Sequence, residues 1–112
     1  MKFYEIEVNG VTYKLRLTSN DCMVIEKFSG MSILDYIQNL SMTTIINLLR
    51  YMVRSSIENF SEKDASKLFN ELIDEGYTIQ TIVEDILMEA LSVSGFMSKE
   101  ELEEMKSKKD KK

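Results

Sequence analysis

FYEIEVNGVTYKLRLTSNDCMVIEKFSG, residues 3–30, contains the change of period on which the fold turns. From Phe3 to Leu17 the side chains alternate, and Asn9-Gly10 falls between two runs rich in Val, Tyr, Thr and Ile. Two residues of this kind between alternating runs specify a hairpin, because the turn that matches strand twist needs positive φ at both central positions. Counted by twos, Tyr4, Ile6 and Val8 share one face with Val11, Tyr13, Leu15 and Leu17, while Glu5, Glu7, Thr12, Lys14 and Arg16 occupy the other. After Leu17 the period becomes that of helices. Thr18 with Asp21 forms an S/T-x-x-D/E start, in which each side chain satisfies a backbone N–H of the other's turn.

The same start signal recurs at Ser32 with Asp35, Ser61 with Asp64 and Ser98 with Glu101, and Gly30, Gly76 and Gly95 stand where three helices should stop. These marks predict helices near 19–29, 32–40, 42–59, 62–75, 78–94 and 98–107, the first two forming one bent unit. The expected fold is α+β and mostly helical, an N-terminal β-hairpin packed on a bundle of about five α-helices. Residues 1–97 form the single domain, and residues 98–112 a helical, then disordered, Lys-rich extension.

Composition narrows the function. The 112 residues include one Cys and no His, Pro or Trp, which removes His-based triads, His-ligated zinc, intramolecular disulfides and Cys-pair redox motifs. The carboxylate pairs Asp74/Glu75 and Glu84/Asp85 are sequence neighbours, which do not share a helix face. The run Glu100, Glu101, Glu103, Glu104 is the acidic front of an exposed helix. No EF-hand loop or phosphate-cradling Gly-rich loop is present, so a non-enzymatic protein with no cofactor, metal or small-molecule substrate is expected.

The net charge is −5, with 14 Lys+Arg against 19 Asp+Glu. Residues 105–112 hold five Lys and one Asp, so residues 1–104 carry −9. An acidic body of this kind disfavours nucleic acid as a partner. Met1–Gly10 alternates acids with apolar residues where a secretory leader would have an apolar run, and no stretch reaches membrane-spanning length. The lone Cys22 fits a reducing compartment, so a cytoplasmic protein without membrane contact is expected.

On 42–60 the helical projection collects Met42, Ile45, Ile46, Leu49, Met52, Val53, Ile57 and Phe60 in a core stripe, leaving Tyr51 on the far face beside Asn47 and Arg54. Tyr51 stands there either as an interface aromatic or as a lone exposed ring. Residues 78–94 carry two apolar faces. Ile79, Ile82, Val83, Ile86, Ala90 and Val93 form one stripe, and Leu87, Met88 and Leu91 lie opposite, to be covered by a second layer or by a partner. Phe96 and Met97 would extend that second patch, so Leu87, Met88, Leu91, Phe96, Met97 and Tyr51 are the candidate partner-binding residues. Eight methionines suit either an adaptable surface or gap-filling in a core.

KLRLTSNDCMVIEKFSGMSILD (14–35), LFNELIDEGYTI (68–79) and DILMEALSVSGF (85–96) together resemble the small tail assembly chaperones of long-tailed bacteriophages and prophages of Gram-positive hosts. The resemblance covers most of residues 4–97. It rests on the hairpin leading into K-L-R-L-T, an E-K-x-x-G at Glu26, Lys27 and Gly30, a D/E-E-G at Asp74 to Gly76, and a closing V-S-G-F at Val93 to Phe96. It implies a non-catalytic protein of the host bacterial cytoplasm, absent from the mature virion. Such a protein binds the tape-measure protein, keeps it soluble, and is displaced as tail-tube protein polymerises. Tail-tube protein and a second copy of the chain are the further partners this reading allows. A different class, a small acidic phage or host regulator acting by nucleic-acid mimicry, is the alternative that the −9 body motivates.

Overall fold

Asn9 and Gly10 take φ of 52° and 80°, so the turn has positive φ at both central residues. It joins β1 (Tyr4–Val8) to β2 (Val11–Leu15) in the antiparallel register Tyr4 to Leu15, Ile6 to Tyr13 and Val8 to Val11, with Glu5 opposite Lys14 on the other face. Ile6, Val8 and Leu15 are buried, as is Leu17 just beyond the strand. The computed structural model describes residues 2–110; Lys111 and Lys112, at the end expected to be disordered, lie outside the described residues.

The turn is docked as well as shaped. Its Asn9 N–H donates to Glu75 Oε1 at 3.0 Å, and Asn9 Nδ2 donates to Glu71 Oε2 at 2.6 Å. Past β2 the extended chain is tied to two helices, because Arg16 N–H donates to the Met52 carbonyl at 3.1 Å and Leu17 N–H to Ser94 Oγ at 2.9 Å.

The helices follow the capping signals. α1 (Ser19–Ser29) opens on the Thr18–Asp21 capping box and closes at Gly30, whose φ is 73°. α2 (Ile33–Gln38) is capped by Ser32, and Glu26 on α1 accepts from Ile33 N–H at 2.8 Å, welding the two helices into the bent unit. α4 (Glu62–Asp74) starts at the Ser61–Asp64 box and ends with Gly76 N–H on the Ile73 carbonyl and Tyr77 N–H on the Leu72 carbonyl. That paired closure is a Schellman motif. α7 (Lys99–Asp110) follows Ser98 and sends Leu102 into the core.

α3 (Met42–Arg54) stops five residues short of the expected 59. Its last carbonyls are taken by other groups. Met52 O accepts from Arg16 N–H and from Ser55 Oγ, and Ser56 Oγ bonds both Val53 O and Lys14 O. Serine hydroxyls competing for helix carbonyls favour a turn over continuation. Ile57, past this stop, is accordingly exposed, and Met42 is exposed at the opposite end of α3, while Phe60 re-enters the core edge-on to Tyr13 at 6.2 Å.

The stretch Ile79–Val93 is one continuous helical segment with a change of winding inside it: α5 (Ile79–Thr81), a π-helical segment (Ile82–Leu87) and α6 (Met88–Val93). Met88 N–H bonds the carbonyl of Val83, five residues back. Residues four apart advance about 40° around an α-helix, so the columns Ile82/Ile86/Ala90 and Val83/Leu87/Leu91 would drift out of the core. The wider π turn cancels part of that drift. All six are buried, whereas Ile79 is exposed and Val93 half-buried, contrary to the stripe expected from a uniform α period. The Tyr4 hydroxyl donates to the Asp85 carbonyl at 2.8 Å, binding the hairpin to the π-helical segment.

The architecture is thus α+β and mostly helical, the hairpin packed on six helices among the described residues when Ile79–Val93 counts as one. The core contains no polar or charged side chain among the described residues.

Candidate functional site

The two apolar faces of Ile79–Val93 are both inside. Leu87 and Leu91 are 0% exposed and Met88 3%, so the hairpin and neighbouring helices supply the second layer. Of the two covers left open for these candidate partner-binding residues, the second layer is the one present, which removes all three from a partner surface. Phe96 and Met97 are half-buried against the same core. The end of α6 explains Phe96, since Gly95 N–H on Ser92 O and Phe96 N–H on Leu91 O form a second Schellman closure, which is commonly accompanied by an apolar contact at this position. Met97 lines a shallow cleft with Lys2, Val93, Lys99 and Leu102.

Tyr51 alone of the six lines the more apolar groove. α3 puts Ile45, Leu48, Leu49, Met52 and Val53 into the core, which leaves Asn47, Arg50, Tyr51 and Arg54, at i, i+3, i+4 and i+7, as an outward stripe. Opposite stand Ile25, Phe28 and Ser29 from the end of α1, Met31 after it, and Tyr36 of α2, enclosing about 460 Å³. Phe28 is 90% exposed at the edge of this groove. The Arg50 and Arg54 guanidinium carbons lie 5.4 and 5.9 Å from the Tyr51 ring centroid, within cation–π range. Tyr36 is buried, with Asn47 Nδ2 3.5 Å from its hydroxyl, and burial, partly offset by that contact, raises its pKa.

Phe28, Met31, Tyr36 and Arg50 were not among the sequence candidates. Periodicity gives no warning of Phe28, which stands three residues after buried Ile25 as Ile25 does after buried Cys22, so its exposure is visible only in the structure. The methionines divide in the same way: Met52 and Met88 are buried, Met23 and Met42 exposed, and Met31 sits at the groove.

Cys22 is buried against α1's neighbours, and burial, with the Asp21 and Glu26 carboxylates adding to it, pushes its thiol up to about 11. At pH 8, three units lower, about one thiol in a thousand is ionised, and the thiolate is the nucleophile. Iodoacetamide labelling of Cys22 at pH 8 should therefore accelerate on the order of a hundredfold in unfolding urea. Labelling at the same rate with and without urea would contradict the burial. No group of three or more Cys, Asp or Glu is placed to hold a metal ion among the described residues, and no helix there is long and apolar enough to cross a membrane.

Comparison with protein-family models, with curated proteins and with solved structures gives no match.

Proposed function

We propose that the chain is a non-catalytic binding protein that holds an apolar client in its α1–α3 groove, and that it is a tail assembly chaperone whose client is a phage tape-measure protein. The observation that carries the binding reading is Phe28, 90% exposed beside a groove lined by Met31, Tyr36 and Tyr51. An aromatic left in water costs burial free energy that a partner recovers, and methionine adapts to irregular client surfaces. The chaperone identity rests on the sequence resemblance; with it go action in the host cytoplasm and absence from the finished virion.

Co-expression tests this. The chain should keep a tape-measure protein in the soluble fraction, and capture should survive high salt, as an apolar interface does. Phe28→Ser should fold normally and lose most of the soluble client. Client aggregation unchanged by the wild-type chain would defeat the chaperone reading, and capture abolished by salt would favour the nucleic-acid mimic instead.

A further inference from the structure

We infer that Asn9 is a deamidation site, and that its conversion to a carboxylate releases the hairpin turn from α4. Asn9 is the one asparagine of the chain followed by glycine; the others precede Asp21, Leu40, Leu48, Phe60 and Glu71. A following residue without Cβ leaves its own backbone nitrogen unobstructed as a nucleophile. Both turn residues are exposed, and a Cβ built on Gly10 meets no heavy atom within 4 Å beyond its chain neighbours. Gly10 N–H makes no hydrogen bond among the described residues, because the ladder closes on Val8 and Val11 and leaves the loop's own N–H groups outside it. The nucleophile is thus free and open to water.

The reaction needs water alone. Hydroxide removes the Gly10 amide proton, and the nitrogen bonds to Asn9 Cγ. The tetrahedral intermediate takes a proton from water on Nδ2, breaks its Cγ–Nδ2 bond and expels ammonia, leaving a cyclic imide. Water opens that ring at Cγ to give aspartate, or at the backbone carbonyl to give isoaspartate. Water is consumed, ammonia is released and no electrons are transferred. Asn9 Nδ2 must first leave Glu71, so the reaction proceeds in local openings of the exposed turn.

The effect of conversion follows from how the turn is docked. Asn9 Nδ2 donates to Glu71 Oε2 at 2.6 Å, and Asn9 N–H donates to Glu75 Oε1 at 3.0 Å. An ionised carboxylate has no proton to donate. The aspartate product therefore sets acceptor against acceptor and like charge against like charge, on a body that already carries −9 over residues 1–104. The turn itself is spared, since Asp-Gly fits the same turn as Asn-Gly. The loss falls on the link to α4. Isoaspartate goes further, because its backbone runs through Cβ and Cγ. That lengthens the loop which sets the register placing Val8 in the core.

The full chain, incubated folded in mildly alkaline buffer and then digested, tests the site by tandem mass spectrometry. The amide-to-acid mass gain should accumulate at Asn9, with isoaspartate as a second peptide of equal mass. Asn39 and Asn59, exposed and outside the helices but followed by Leu40 and Phe60, should remain amides. Asn9→Asp supplies one product in pure form and should melt roughly 5 °C below wild type. The same substitution in a Glu71→Gln/Glu75→Gln background should melt level with its parent, and this also provides a folded reference should the single variant fold poorly. Asn9 remaining an amide in the folded chain, or Asn39 and Asn59 converting as fast, would overturn the site. An Asn9→Asp variant as stable as wild type, or an equal loss in the Gln background, would overturn the release.

Discussion

The double variant Leu87→Ser/Leu91→Ser is expected to be unfolded in water. Both side chains are fully buried, one above the other in the column that the π-helical segment keeps in the core. Truncating one buried Leu costs about 2–5 kcal/mol through lost transfer free energy and the cavity left behind. Serine adds a buried hydroxyl at each site. The two sites are neighbours, so their effects do not simply add. Even so, a combined loss of about 6 kcal/mol is comparable with the whole stability of an ordinary domain, about 5–15 kcal/mol. Far-ultraviolet circular dichroism and a urea titration should show no cooperative transition. Phe28→Ser is the control: it removes more apolar surface than either leucine alone carries but none from the core, and should change stability by less than about 0.5 kcal/mol. A cooperatively folded double variant would mean that these leucines do not hold the bundle together.

That contrast separates what was legible in residue order from what was not. Hairpin register, the N-caps and the glycine stops are local: Asn9-Gly10 fixes the turn, Thr18 reaches only to Asp21, and Gly95 closes its own helix. The end of α3 is only partly local: Ser55 and Ser56 take carbonyls three residues back, but Arg16 and Lys14 of the hairpin strand's end bond the same groups. The phase of Ile79–Val93 is not local either, because a uniform 100° step per residue cannot represent an inserted π turn, and whether a second layer or a partner covers Leu87, Met88 and Leu91 is decided only by the packing, which buries them. The groove was half visible. Tyr51 stood out as an aromatic on a polar face, while Arg50 became notable only once its Nε was seen buried and unpartnered. Several residues that carry the family resemblance also have structural work: Glu26 caps α2, Glu75 grips the hairpin turn, and Gly30, Gly76 and Gly95 end helices. Their presence follows from the fold and does not locate a binding surface.

Gly10→Val is expected to cost about 2–3 kcal/mol, and the structure isolates the reason. A Cβ built on Gly10 meets no heavy atom within 4 Å beyond its two chain neighbours, so the site is open and contact with the rest of the fold is not the main cost. The penalty lies in the backbone, because φ at Gly10 is +80°, a region that a β-branched residue enters only with strain. The chain has a poor alternative. Relaxing Gly10 to negative φ would re-aim Asn9, whose N–H and Nδ2 are held by Glu75 and Glu71, and would disturb the register that places Val8 in the core. Gly10→Asn fills much the same open space with a side chain that tolerates left-handed φ, and should cost less than about 1 kcal/mol. For a domain of this size the Val variant should melt roughly 10 °C or more below wild type and the Asn variant within a few degrees of it. Parallel thermal melts decide the matter: equal losses for Val and Asn would show that the turn does not hold Gly10 at positive φ, and the two-residue hairpin with its grip on α4 would have to be abandoned.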